Sequence, residues 1–231
     1  EWGVCSHGDS KFVAEFPQLE YRNSEFSALF MVKLVDCLYA IEDHHNFKTD
    51  LMLYWGAWFN AATGPVFMGS RDLMTTANIP KPVMTAYEML ARLGRRRLQV
   101  AGPKPGGRYG LLAARSENEV QVLAYNFQET DDLTEQKDHF TINLEQLPER
   151  EKLTVKEYRM DRSHHNTYRK WERMGKPEAN DEVIRQLRDE GELKVTSTFT
   201  VKVRNGCTSF DHSLPRHSMS LYVIDLSGQE E

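Results

Sequence analysis

The sequence predicts an α/β segment followed by an all-β segment. Residues 1–94 combine helical periodicity with one apolar run that does not alternate, which is typical of the units of a (β/α) barrel. Residues 95–231 break into short, partly alternating segments with turn residues between them, which is typical of an antiparallel β-sandwich. We therefore expect two domains, 1–94 and 95–231.

A long amphipathic helix is predicted early in the first segment. Asn23 and Ser24 offer an N-cap, and Glu25 lies in the first turn, where the helix dipole favours a carboxylate. Apolar side chains then recur at helical spacing as far as Ile41. Cys37 lies on this apolar stripe, so we expect it in the core.

A buried strand and a second helix complete this segment. The run Leu-Met-Leu-Tyr-Trp-Gly-Ala-Trp-Phe at 51–59 does not alternate and is too short for a typical helix, so it predicts a strand buried on both faces. Pro82 then stands near the first position of a helix that runs to Leu93 and ends at Gly94. The order helix, strand, loop, helix is that of a (β/α) barrel.

Seven strands and one helix are predicted in the second segment. Phe140 to Leu144 alternates cleanly, with apolar residues at every second position. Asn180 caps a short helix that runs through Glu190. The expected strands are 109–115, 120–127, 139–144, 153–161, 193–203, 207–214 and 219–226.

Charge argues against two classes of partner. The formal net charge of the 231 residues is −5 with both signs interspersed, whereas nucleic acids and anionic membranes attract clustered Lys and Arg. We interpret the one basic cluster, Arg95-Arg96-Arg97, as the solvated cap of the preceding helix. No apolar run reaches the length of a membrane span.

Cysteine usage argues against a structural metal or a disulfide framework. The count of three, at Cys5, Cys37 and Cys207, is odd, and the spacing suits neither. We expect a reduced or redox-indifferent protein without a metal or another cofactor, and we favour a cytoplasmic location.

An active site is predicted where Glu1 and the pair Tyr54-Trp55 would lie at the ends of neighbouring barrel strands. A sugar ring stacks its apolar face on Trp, and its hydroxyls bind carboxylates, His and Asn. Two simpler interpretations stand beside this one: Glu1 belongs to a frayed terminus, and Trp55 belongs to the barrel core.

Four motifs resemble glycoside hydrolase family 39, the family of β-xylosidases and α-L-iduronidases. Glu1-Trp2 resembles its Thr-Glu-Phe/Trp nucleophile motif, and Tyr54-Trp55 resembles its Tyr-Trp at the end of the eighth barrel strand. Ile-Pro-Lys-Pro at 79–82 and Trp-Glu-Arg-Met-Gly-Lys-Pro at 171–177 resemble the β-xylosidase pattern. The order and spacing of these motifs fit over almost the whole chain.

The resemblance implies a retaining mechanism with Glu1 as nucleophile. It places residues 1–94 in the last two β/α units of a (β/α)8 barrel, with Glu1 at the end of strand seven. The second carboxyl group, about 5–5.5 Å away, would be the acid/base. The family carries it in Asn-Glu-Pro, which this sequence lacks, since Asn118-Glu119 is followed by Val120. The acid/base therefore lies outside this chain.

The sequence departs from the family pattern where substrate would bind. Asn-Ala-Ala-Thr-Gly at 60–64 lacks the acidic residues of the pattern, and Phe-Met-Gly-Ser at 67–70 replaces Phe-His-Gly-Gly. We expect Asn60 and His7 to contact the sugar together with Tyr54 and Trp55. His7 is alternatively an exposed loop histidine.

Two functions are compatible with this sequence. The first is part of a retaining exo-glycosidase that hydrolyses β-xylosides or related oligosaccharides. The second is a non-catalytic β-sandwich module that contacts carbohydrate or mediates oligomerisation. Two β/α units expose the edges of a parallel sheet, so we expect either the remainder of the barrel or a second copy of the chain as a partner, unless the sequence is an excerpt.

Overall fold

Helices dominate the first part of the chain and strands the second. The computed structural model describes residues 16–54, 66–130 and 137–227. The helices are a 3₁₀ helix, Pro17–Asn23, and four α-helices: α1, Glu25–His45; α2, Pro82–Ala91; α3, Thr167–Arg173; and α4, Asp181–Gly191. The strands are β1, Arg96–Arg97; β2, Tyr109–Arg115; β3, Glu119–Asn126; β4, Lys137–Leu144; β5, Lys152–Met160; β6, Ser197–Lys202; β7, Thr208–Pro215; and β8, Ser218–Asp225.

The helix starts agree with the sequence predictions. The Ser24 hydroxyl accepts a hydrogen bond from the Phe26 amide at 3.3 Å, which caps α1. Pro82 begins α2, and Asn180 caps α4 by accepting from the Val183 amide. The helix ends agree less well, since α1 continues to His45 and α2 stops at Ala91. Cys37 is half-buried, so the expectation of a core position was met in part.

Two predictions around Gly94 were wrong. The glycine does not end α2, and a Cβ placed on it would lie 2.5 Å from the Arg115 carbonyl group, so it permits close approach to the end of β2. The basic cluster is not a helix cap either. Arg96 and Arg97 form β1, which pairs with β2, and Arg97 binds Asp43 of α1 at 2.7 Å.

All strand pairs in the described ranges are antiparallel, and they form two sheets. The larger sheet has the order β1-β2-β3-β8-β5-β6, and the smaller one pairs β4 with β7. All seven expected strands are present, with ends displaced by a few residues. The short strand β1 and the helix α3 had no counterpart in the predictions.

The larger sheet is covered on both faces. Helices α1 and α2 pack on one face, and the smaller sheet packs on the other. The central strands β3 and β8 are therefore buried on both faces, which explains why β3 does not alternate cleanly in sequence. The helix-facing core includes Leu29, Val32, Met89, Leu123, Tyr125, Met160 and Leu221. The core between the sheets includes Val122, Ile142, Val155, Phe210, Leu214, Tyr222 and Ile224.

Among the described residues of the predicted strand at 51–59, only Tyr54 is in a β-bridge. Residues 51–53 have no regular structure, and Leu51 and Leu53 are 72% and 53% exposed. A strand buried on both faces requires neighbouring strands, and none of the strands in the described ranges pairs with residues 51–53. Residues 55–59 lie outside the described part of the chain.

The helices of the first segment share a core with the sheet of the second. Within the described ranges no two strands pair in parallel, so the assignment to the last two barrel units stays a prediction. The domain boundary after Gly94 likewise stays a prediction. The antiparallel sandwich of the second segment is present.

Candidate functional site

The predicted cleft falls largely outside the described residues. Of the predicted site residues, Tyr54 is described. The others lie outside the described residues: Glu1, His7, Trp55 and Asn60. The described residues that flank them in sequence are the 3₁₀ helix, the start of α1 and the segment 66–81.

Tyr54 is held between the two helices of the first segment. Its ring meets the ring of Tyr87 edge to face, with centroids 5.9 Å apart. Burial raises the pKa of the Tyr54 hydroxyl, and a hydrogen bond with Ser27 of α1 opposes that rise. The hydroxyl is therefore neutral at physiological pH, and its neighbours in α1 and α2 fix its position.

The 3₁₀ helix holds the segment that follows the predicted sugar-binding loop. The Asn23 side chain accepts from the Gly69 amide at 3.0 Å and donates to the Phe67 carbonyl at 3.4 Å. Arg22 donates to the Gly69 carbonyl at 3.4 Å, and Gly69 has a φ of 73° that favours glycine. Met68, at the position of the family histidine, is buried.

A buried lysine also binds the segment that follows the predicted sugar-binding loop. Lys81 is 1% exposed, and its ammonium donates to the Ser70 carbonyl at 2.8 Å and to the Ser70 hydroxyl at 3.1 Å. Burial lowers the pKa of Lys81 to about 7, with Asp72 opposing and Arg22 reinforcing the shift. Pro82 follows at once and begins α2, so the Ile-Pro-Lys-Pro motif joins a buried cation to a helix start.

Lys81 makes stability depend on pH. Its folded pKa of about 7 lies below the usual 10.5, so between these values the unfolded chain binds a proton that the folded chain has released. We expect the free energy of unfolding to rise with pH across this window, by up to about 1.4 kcal/mol per pH unit. Below pH 7 both states hold the proton, and the destabilisation is fully present.

Urea unfolding of the wild type and Lys81→Met at several pH values between 7 and 10 measures this contribution. The free energy of unfolding of Lys81→Met should lack the rise with pH that Lys81 causes. Plots of this free energy against pH for the variant and the wild type should therefore converge or cross. Lys202→Met, at an exposed position of β6, is the matched control and should run parallel to the wild type. Parallel curves for Lys81→Met would contradict the assignment.

The two family-like motif blocks meet in space. The Thr167 hydroxyl donates to the Pro80 carbonyl at 2.6 Å, which joins α3 to the Ile-Pro-Lys-Pro turn. The Trp171 indole donates to the Pro177 carbonyl at 2.9 Å and closes the turn after α3. A third apolar cluster fills the space between them: Val66, Phe67, Ile79, Tyr168, Trp171, Val183 and Leu187.

A buried ion pair fixes the start of α1 to α3. Glu25 is 2% exposed and accepts two short hydrogen bonds from Arg169, at 2.9 Å each, and a third from Asn166 at 3.0 Å. Burial alone would lower the pKa of Arg169, but Glu25 and Glu172 outweigh it and raise that pKa. Sequence reasoning had given Glu25 a helix-dipole role and had not singled out Arg169, because no local signal links residues so far apart.

The carboxylates between α1, α3 and the 3₁₀ helix already have partners among the described residues. Glu25 and Glu172 bind Arg169, and Glu20 binds Tyr168 and Lys176. Within 16–54, 66–130 and 137–227, no cluster of His, Cys, Asp and Glu is arranged to hold a metal ion. None of the helices in these ranges has both the length and the apolar character that crossing a bilayer requires.

Solved structures show the same fold. The chain is similar to a monomeric beta-xylosidase from Caulobacter crescentus CB15, with a TM-score of 0.74 and 17% identity over 98% of this chain and 45% of that one. It is also similar to the GH39 enzyme from Xanthomonas axonopodis pv. citri, with a TM-score of 0.75 and 16% identity over 97% and 43%. A bacterial orthologue of human α-L-iduronidase matches with a TM-score of 0.62 and 16% identity over 91% and 39%.

The chain thus spans less than half the length of each of these structures. No curated protein matches it in sequence. The family model for glycosyl hydrolases family 39 matches residues 16–205, which is most of the chain and includes both motif blocks. The chain therefore belongs to glycosyl hydrolase family 39.

Proposed function

We propose that this chain is the C-terminal part of a retaining exo-glycosidase that hydrolyses β-xylosides such as xylo-oligosaccharides. Glu1 is the nucleophile and forms a covalent glycosyl-enzyme, and the acid/base belongs to the part of the barrel outside these residues. Tyr54, Trp55, Asn60 and His7 line the substrate side of the cleft. The remainder of the barrel is the necessary partner.

Family membership over residues 16–205 is the observation that carries this proposal. The choice of β-xyloside over iduronide has separate support in the Ile-Pro-Lys-Pro and Met-Gly-Lys-Pro blocks, whose sequences favour β-xylosidases. The two blocks also contact the same part of the chain. Helix α3 is hydrogen-bonded to Pro80, and both blocks pack against the segment that follows the predicted sugar-binding loop.

The retaining mechanism predicts how the first product is configured. A double displacement places the new hydroxyl on the face that the leaving group occupied, so an aryl β-xyloside yields β-xylose before mutarotation. Proton NMR of the earliest product, from the complete protein that contains this chain, measures the ratio of anomers. First-formed α-xylose would contradict the retaining mechanism.

The substrate assignment has its own control. The same protein should hydrolyse aryl β-xyloside and leave aryl α-L-iduronide largely intact. Turnover of the iduronide with an inert xyloside would reassign the substrate and leave the family mechanism in place. The isolated chain should be inactive on both compounds, since it lacks the acid/base.

A further inference from the structure

A buried asparagine joins two segments that flank the predicted cleft in sequence. Asn23 is the last residue of the 3₁₀ helix, which comes after Glu1 and His7 in the chain, and it is 1% exposed. The segment 66–70 comes after Asn60. Although Asn23 and this segment are distant in sequence, the side chain of the asparagine binds the segment directly.

Both ends of the Asn23 amide are bonded to backbone groups. Its oxygen accepts from the Gly69 N–H at 3.0 Å, and its nitrogen donates to the Phe67 carbonyl at 3.4 Å. These two backbone groups lie on either side of Met68, so the amide pairs with the segment as the backbone of a neighbouring strand would. Phe67 and Gly69 are buried, so their polar groups would be unsatisfied without Asn23.

The conformation of Gly69 depends on such bonds. Its φ of 73° lies in the region that favours glycine, and glycine has the greatest conformational freedom of all residues. Asn23 and Arg22 bind the amide and the carbonyl of Gly69, and Lys81 binds the next residue, Ser70. Buried polar side chains therefore fix this segment from the 3₁₀ helix and from the start of α2.

The fixed segment lies close to a residue of the predicted site. Burial raises the pKa of the Tyr54 hydroxyl, and the charges of Arg22 and Asp72 act on that hydroxyl in opposite directions. Arg22 precedes Asn23 and binds the same glycine, while Asp72 follows the segment by two residues. The contacts of Asn23 are therefore made beside Tyr54, and they follow Asn60 in the chain.

We propose that Asn23 is a positioning residue for substrate binding, an inference that rests on the proposed function. By fixing residues 67–69, it determines where the predicted sugar-binding loop at 60–64 ends. Asn23 bonds to the backbone, so its effect on the sugar is exerted through the position of that loop. Such an effect acts on the substrate and the transition state alike, and its loss raises KM while kcat stays nearly the same.

Asn23→Leu keeps the size and the branching of the side chain and removes both hydrogen bonds. In the complete protein that contains this chain, KM for aryl β-xyloside should rise about tenfold, as the loss of buried hydrogen bonds implies. The change in kcat should stay below about threefold. Asn23→Gln keeps both amide groups, one methylene further from the backbone, and its KM should lie between those of the wild type and Asn23→Leu.

Asn126→Leu is the matched control for a general loss of stability. Asn126 is also fully buried, and its nitrogen donates to the Leu214 carbonyl at 3.1 Å, which joins β3 to β7. Urea unfolding should show that both Leu variants are less stable than the wild type, but KM should change in Asn23→Leu only. An equal rise of KM in both variants would overturn the positioning role.

Gly69→Ala tests the same contact from its other side. Alanine is strained at this φ, so the backbone should move away from Asn23 and KM should rise. Because both changes release the same segment, the double variant should raise KM by less than the product of the two single effects. Gly69→Ala decides the question if Asn23→Leu fails to fold, and an unchanged KM would then overturn the proposal.

Activity of the wild type separates this inference from the proposed function. A wild type that does not hydrolyse aryl β-xyloside would overturn both. An active wild type whose KM stays unchanged in Asn23→Leu and Gly69→Ala would overturn the positioning role alone. A loss confined to kcat would also overturn it, since Asn23 would then act on the transition state rather than on substrate binding.

Discussion

Replacing Glu1 with Ala is expected to lower kcat on aryl β-xyloside by a factor of about 10⁴ or more, because the proposed reaction passes through a bond to this carboxylate. Substrate binding should change little, since the nucleophile acts mainly on the transition state. The assay uses the complete protein, which supplies the acid/base. Glu231→Ala is the control at a position with no proposed role and should keep full activity.

Azide adds a readout that a damaged fold would not give. The small anion fits the space that Glu1→Ala leaves and attacks the anomeric carbon from the same face as the lost carboxylate. The product is then α-xylosyl azide, with inverted configuration. Rescue that gives the β-azide would mean that Glu1 is the acid/base, and undiminished activity without azide would remove it from the mechanism.

Replacing Arg169 with Met is expected to destabilise the protein by about 3–5 kcal/mol, since it removes the hydrogen-bonded cation of buried Glu25 and leaves only the partly exposed Arg162, 3.8 Å away. The hydrogen bond from Asn166 and the longer contact with Arg162 offset little of this loss. Urea unfolding measures the change. Arg185→Met is the matched control, because Arg185 binds Glu182 in an exposed pair on α4 and its loss should not be measurable.

A double variant distinguishes the loss of the Glu25–Arg169 ion pair from the loss of packing by the Arg169 side chain. Glu25→Leu combined with Arg169→Met removes both members of the pair and should recover much of the stability that Arg169→Met loses. A double variant as unstable as the single one would mean that Arg169 acts through packing. In that case its ring contact with Tyr168 would carry the effect.

Local signals predicted most elements of this fold. Ser24 and Asn180 cap their helices through neighbouring amides, and these contacts are written in sequence over two or three residues. The alternation of β4 is preserved because that strand is buried on one face. Predictions failed where a partner that is distant in sequence decides the structure. Arg97, for example, was expected to cap a helix but pairs with β2.

The candidate site was less accessible to such reasoning. Of the residues proposed to bind substrate, Tyr54 is described, and its neighbours are helices α1 and α2. The supporting contacts of Glu25 and Thr167 join residues that are remote in sequence. Periodicity carries no information about such pairs, whereas the resemblance of the motif blocks indicated their importance without giving their contacts.

The position of β8 has a consequence for synthesis of the protein. This strand comes last in sequence order among the described strands, yet it lies between β3 and β5 in the larger sheet. When β7 has emerged from the ribosome, β8 is still missing from the sheet. The edges of β3 and β5 that β8 will cover are then unpaired and can bind other chains. We expect ribosome-bound chains that end before Ser218 to bind chaperones and to acquire protease resistance once β8 has emerged.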